Sequence, residues 1–161
     1  MVVDARRGYD VLAARNDVDP SRIAYAGLSF GAMMGGSLAG TDSRFRAFIL
    51  IAGLERHYTR SQHPAIVRMR NSIKPDDFQR VLAAMEPIDA KNFIGKAEAP
   101  LLFQAARFDP GVSEADTLDY FALAPEPKEL KWYDSGQDLN DPRAFADRRN
   151  WLASHLLLKG R

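Results

Sequence analysis

Apolar positions along the chain follow two alternating rhythms. In FRAFILIAG, over 45–53, the run from Ala47 to Ala52 is continuously apolar, as in a parallel strand buried on both faces. Three further short runs share this character: RIAYAG ending at Gly27, APLLFQAARFD over 99–109, and KELKWYD over 128–134, which alternates at its end. Strands are expected near 23–27, 47–52, 100–104 and 129–133, forming one parallel sheet in sequential order.

Between these runs the spacing becomes helical. In VVDARRGYDVLAARNDVDP, residues Val3, Tyr9, Val11 and Leu12 recur at roughly helical intervals, and Asp19-Pro20 ends the run. After Ser29, GAMMGGSLAG is rich in small residues, as a helix pressed closely against a sheet would be. Further helices are expected near 64–71, 75–86 and 113–124, with a short helical piece near 89–95. A closing helix is expected at about 143–158, with Pro142 in its first turn. Strands alternating with helices imply right-handed βαβ units, hence an α/β fold of about four parallel strands flanked by helices.

Composition narrows the classes of function. At 161 residues, 46% hydrophobic and 27% charged, the chain is one globular domain with enough length for a real core. Its 22 basic and 21 acidic residues leave a net charge of +1, which gives no electrostatic case for nucleic acid or an anionic membrane as partner. The absence of cysteine removes disulfides, thiolate metal sites and cysteine nucleophiles together, and fits a reducing compartment. MVVDARRGYD lacks the apolar centre of a signal peptide, and no apolar run approaches the ~18 residues of a membrane span. The expected location is cytoplasmic.

Candidate chemistry concentrates at Gly27-Leu28-Ser29-Phe30-Gly31, a G-x-S-x-G placed where an expected strand meets an expected helix. That context suits a sharp turn presenting a nucleophilic serine. Ser29 then takes a strained backbone conformation, side chains at 27 and 31 collide with neighbouring elements, and the N–H of Phe30 faces an oxyanion at a helix N-terminus. A phosphate loop is excluded, because no lysine follows the glycines and no GxGxxG is present.

The order of segments resembles the C-terminal part of the α/β-hydrolase superfamily, closest to dienelactone-hydrolase-like and peptidase-type esterases. DVDPSRIAYAGLSFGA leads into the serine turn, LLFQAARFDPGVS ends a strand at Asp109, and WYDSGQDLND precedes the last helix, RAFADRRNWLASHL. The resemblance implies a single truncated α/β-hydrolase domain over 1–161, with a helical cap-like segment at about 54–96. It also implies Ser29 as nucleophile, Asp109 as triad acid, Phe30 as an oxyanion donor and no cofactor. The substrates would be small carboxylic esters.

Two departures limit that reading. Gln137 stands where the family carries histidine. An amide can accept from Ser29 and donate to Asp109, but it takes no proton near neutral pH. The first half of the family fold is also missing, and with it the loop that supplies a second oxyanion donor. Ester hydrolysis is therefore expected to be weak.

Other residues offer alternatives. His57 and His63 follow the second strand, near the sheet edge where α/β sites form. Either can supply a base, or the pair can bind a metal with Asp109, although solvated loop histidines are the blander reading. Asp138 is a further carboxylate candidate, and His155 reads as a packing or surface residue. The rival functions are a non-catalytic binding or interaction module and a hydrolase with a rebuilt, metal-assisted site. An open edge on the first strand and a face covered by one helix lead to an expected C2 homodimer, which can bring the partner subunit's His57 or His63 near Ser29.

Overall fold

The computed structural model describes residues 2–56 and 64–157. His57 and His63 lie outside them. Four parallel strands, β1 (Tyr25–Leu28), β2 (Phe48–Ile51), β3 (Leu101–Ala106) and β4 (Lys128–Tyr133), form one sheet in the order β1-β2-β3-β4. Tyr25 lies opposite Phe48, Phe48 opposite Leu101, and Leu101 opposite Lys128, so the strands start in step and end at a common carboxyl edge. The helices are α1 (Val2–Ala13), α2 (Phe30–Ala39), α3 (Pro64–Ser72), α4 (Pro75–Met85), α5 (Glu114–Leu123) and α6 (Pro142–His155).

Strand alternation divides the core. Phe48, Leu50, Leu101 and Phe103 point to one face, where α2, α5 and the turns at Ala90–Asn92 and Ile94–Lys96 cover them. Ile49, Ile51 and Leu102 point to the other, where Leu139 and the Ala144–Trp151 side of α6 cover them. Every residue of β2 and β3 is buried. Each fully buried Leu, Ile or Phe here stabilises the fold by about 1.5–3 kcal/mol.

Helix α2 shows why its sequence is rich in small residues. A Cβ at Gly35 would lie 2.5 Å from Leu50 of β2, and one at Gly36 would fall on the Tyr120 hydroxyl of α5. Only glycine permits the helix to lie this close to the sheet and to α5.

Two helical segments pack in ways that their spacing alone leaves open. The apolar stripe of α1 consists of Val2, Ala5, Tyr9 and Ala13, which pack on the core. Val3, Val11 and Leu12 are instead exposed, at 58%, 67% and 43%. Tyr9 sets the phase, because its ring packs edge-on against Phe45 at 5.1 Å while its hydroxyl donates to Pro20 O. The segment at 54–96 holds α3 and α4 among its described residues, and its end packs into the core. Ala90 and Ile94 are fully buried in the same cluster as Phe48 and Leu38.

β1 is an edge strand. Tyr25 and Ser29 donate backbone bonds toward β2, to Ala47 O and Ile51 O. In a parallel pair the intervening residues turn their N–H and C=O groups to the opposite side. On the α6 face of β1, Ala26 and Leu28 are exposed.

Candidate functional site

Ser29 sits where β1 ends and α2 begins. Its N–H donates to Ile51 O at 2.8 Å, and its carbonyl accepts from Ala32 and Met33 at 2.9 and 3.2 Å. Held between strand and helix, the residue has φ 54° and ψ −112°. This left-handed backbone is strained for a side chain with a Cβ, and such strain clusters at functional sites. The N–H of Phe30 opens α2, at the positive end of the helix dipole.

The tightness of the turn is set by Gly27. A Cβ there would overlap the Gly31 backbone carbonyl and lie 2.9 Å from Ala32 N. Gly31 behaves differently from expectation: an added Cβ would meet only the Tyr25 hydroxyl, at 3.7 Å, which is an ordinary contact. The chain folds back over position 27, whereas position 31 faces a gap. Two tyrosines then clamp the first turn of α2. Tyr25 Oη donates to Gly31 O at 2.8 Å, and Tyr120 Oη donates to Ala32 O at 3.0 Å. Burial raises both phenols above their ordinary range, so they remain protonated donors.

The segment between β4 and α6 brings Gln137 over the serine. Gln137 Nε2 donates to Ser29 Oγ at 2.9 Å, across 108 positions of sequence. The direction differs from the one expected, since the amide gives a hydrogen to the serine and does not accept one from it. Leu139 anchors this loop. It is fully buried beneath the sheet yet has φ 44°, a conformation unfavourable for leucine. Apolar burial holds the loop in a shape that keeps Gln137 facing Ser29.

Asp109 lies just beyond β3, on the loop beside that of Gln137. The two loops are tied by Phe108 N donating to Ser135 O at 3.1 Å. Asp109 Oδ1 accepts from the backbone N–H groups of Gly111 and Val112, at 2.7 and 3.1 Å. Val112 packs with Met33 of α2 and Leu54, which couples the Asp109 loop to the first turn after Ser29. Ser29, Asp109 and Gln137 thus all stand on loops at the carboxyl edge of the sheet, where α/β folds place their ligands.

The remaining candidates stand apart. Asp138 is exposed, with Asn140 N at 3.4 Å from its Oδ1. His155 ends α6, its ring 4.0 Å from that of Trp151 and its Nδ1 2.8 Å from Trp151 O, which is a packing role. Among the described residues, no group of three or more His, Asp or Glu side chains is placed to hold a metal ion. None of the described helices is long and apolar enough to cross a membrane.

Sequence reasoning missed a buried polar network behind the site. Gln104 of β3 is 1% exposed, and its Nε2 donates to Tyr133 Oη at 3.0 Å and Ala144 O at 2.9 Å. Arg148 Nε donates to Gln104 Oε1, and Tyr133 Oη donates to Asp147, both at 2.9 Å. The network fastens α6 to β3 and β4, and so fixes the strand end from which the Gln137 loop departs. A glutamine inside the apolar run PLLFQAA was the available signal, because a buried amide requires partners.

Exposed apolar side chains flank the serine in sequence and stand on the loop after β3. Leu28, Phe30 and Phe108 are 47%, 37% and 69% exposed. An apolar cavity of about 450 Å³ runs along α2 from Phe30 past Met34 to Thr41, closed by Val2, Met85 and Phe93.

Comparison with known proteins bears on the family and the fold. Residues 2–134 match the prolyl oligopeptidase family of peptidases. No curated protein matches the sequence. Among solved structures, an acetyl xylan esterase from Paenibacillus sp. R4 superposes with a TM-score of 0.82 at 22% identity, over 96% of this chain and 52% of its own. Dipeptidyl peptidase 4 of Porphyromonas gingivalis gives 0.76 at 16% identity, over 96% of this chain and 22% of its own. A puromycin-hydrolyzing peptidase of Mycobacterium tuberculosis gives 0.78 at 19% identity, over 96% and 25%. The chain spans about half the length of the first of these and about a quarter of the other two.

Proposed function

Because this chain belongs to the prolyl oligopeptidase family and has a partial α/β-hydrolase fold, we propose that it is a serine hydrolase of small carboxylic esters. Ser29 is its nucleophile, held on a nucleophile elbow. The observation that carries this reading is the 2.9 Å bond from Gln137 to Ser29 Oγ at a residue with φ 54°. A serine strained at the carboxyl edge of the sheet, contacted by the side chain at the triad base position, has the geometry of a nucleophile. Phe30 N–H stabilises the oxyanion, and Asp109 occupies the acid position. Exposed Leu28, Phe30 and Phe108 favour an apolar acyl or alcohol group beside the reacting carbonyl. No cofactor is required.

Activity is weak in this reading, since Gln137 holds the place of the base without its proton affinity. A fluorophosphonate label followed by peptide mapping tests it, with modification of Ser29 expected. Absence of label at Ser29 favours a non-catalytic binding module, the reading that Gln137 itself supports. Ester hydrolysis that survives Ser29→Ala but is lost with a chelator favours a rebuilt metal-assisted site at His57 and His63.

The open edge of β1 and the exposed Ala26 and Leu28 beside it support a homodimer as the assembly. A chain without cysteine fits a reducing compartment, and the cytoplasm is its proposed location.

A further inference from the structure

Resting on Ser29 as nucleophile, we infer that the protein is a single-turnover acyl acceptor: Ser29 captures the acyl group of an activated ester and holds it as a long-lived ester. The two halves of a serine hydrolase reaction make unequal demands on residue 137, and the geometry meets only the first.

In the first half, Ser29 Oγ attacks the carbonyl carbon of the donor. The Oγ–C bond forms, and the Oγ proton passes to solvent hydroxide. Ser29 is only half-buried, so solvent reaches it. Gln137 Nε2, at 2.9 Å, donates to Oγ and favours its anionic form. Phe30 N–H stabilises the oxyanion at the N-terminus of α2. The carbonyl re-forms as the bond to the leaving group breaks, and an aryl or enol oxygen departs with the electron pair. Such a leaving group is stable as an anion, so no general acid is needed at residue 137.

In the second half, Oγ is the oxygen of an alkyl ester and no longer bears a proton. Water must attack the acyl carbon while a base removes its proton, and Oγ must leave as a poor leaving group that needs protonation. Gln137 performs neither transfer. In either orientation of its amide, neither Nε2 nor Oε1 takes a proton near neutral pH. Release falls to solvent hydroxide, which attacks the acyl carbon as Oγ leaves and takes a proton from water. The ligand class is therefore esters with a good leaving group, and ordinary alkyl esters are poor donors.

The probe is p-nitrophenyl acetate, followed by nitrophenolate release and intact mass. The expected result is a burst of about one nitrophenolate per protein, with one acetyl group retained on Ser29. Its slow loss should rise in proportion to hydroxide, without a plateau between pH 5 and 8. Alkaline hydroxylamine, which cleaves oxygen esters and spares amides, should strip it. Gln137→His should keep a burst but follow it with steady turnover, as the restored base speeds release of the acetyl group. A Ser29 adduct that turns over in the unaltered protein, with a plateau near neutral pH, overturns the inference but keeps Ser29 as nucleophile, because another base is then at work. Absence of any Ser29 adduct in the parent, with a Ser29→Ala control that hydrolyses the ester unchanged, overturns the inference and the nucleophile reading together. An acetyl group lost no faster from Gln137→His than from the parent also overturns the inference, since residue 137 would then not be what limits release.

Discussion

Glutamine and histidine differ at position 137 in one property that matters to Ser29, the ability to bind a proton near neutral pH. The amide reaches the serine oxygen at 2.9 Å. Gln137→His is therefore expected to raise steady-state hydrolysis of p-nitrophenyl acetate by about tenfold or more. Ser29→Ala should abolish the gain. Equal rates for Gln137→His and the parent would remove residue 137 from the mechanism. The glycines of the turn separate in the same manner. Gly27→Ala forces a Cβ into the Gly31 carbonyl and should destabilise the protein by at least about 1–3 kcal/mol. Gly31→Ala makes only an ordinary contact with the Tyr25 hydroxyl and should leave the melting temperature nearly unchanged, so equal melts for the two variants would refute the turn. The pattern G-x-S-x-G was legible, but it treats its two glycines alike. Their unequal crowding arises from the backbone folding over one of them.

At the level of elements, the loop carrying Gln137 depends on Leu139 and on the Gln104 network. Leu139→Ala removes a fully buried side chain and should cost about 2–5 kcal/mol of stability, read by denaturant unfolding. Gln104→Leu leaves Tyr133 Oη, Ala144 O and Arg148 without their buried amide, and a loss of about 1–3 kcal/mol is expected. A second contact has a pH signature. Asp42, buried at the end of α2, accepts hydrogen bonds from Arg44, with Arg6 of α1 at 3.3 Å. The Arg44 bonds, ahead of smaller contributions, hold its carboxyl below the usual value. A depressed carboxylate contributes stability that is fully present above the unfolded value of about 3.9 and lost as pH falls through the folded value. Thermal melts from pH 7 to pH 3 should therefore fall more steeply for the parent than for Asp42→Asn, and parallel curves would show that the contact carries no such linkage. The partners of the Gln104 network come from two strands and a helix, so the lone glutamine was its only signal in the sequence. Asp42 finds Arg44 two residues away, and it is the burial of Asp42 that sequence did not reveal.

For the whole molecule, the sheet is open at β1, and one of its faces is covered by α6 with Leu139. Exposed Leu28 extends the apolar rim of that edge. Strand edges of this kind pair or are covered in stable proteins, and a C2 pair is the simplest closed arrangement. Light scattering at micromolar concentration should report a dimer, and a stable 18.0 kDa monomer with a cooperative melt would overturn it. Ala26→Lys, on the same exposed edge, should then weaken association while leaving Ser29 labelling intact.

Apolar runs and their alternation with helical spacing were enough to determine the four parallel strands, their order and the α/β class. Burial on both faces writes itself locally, as in FILI and LLFQAA, so no knowledge of neighbours is needed to read it. The chemical limit of Gln137 is equally local, because an amide lacks proton affinity in any surroundings near neutral pH. The phase of α1 was different: Val3 and Val11 have the right character, but Tyr9 meeting Phe45 turned Val2, Ala5 and Ala13 inward. So was the direction of the bond at Ser29, which depends on a loop 108 positions away held by Leu139 in a left-handed conformation. Such features are sums of many small contacts between distant segments, and their balance exists only once the chain has closed on itself.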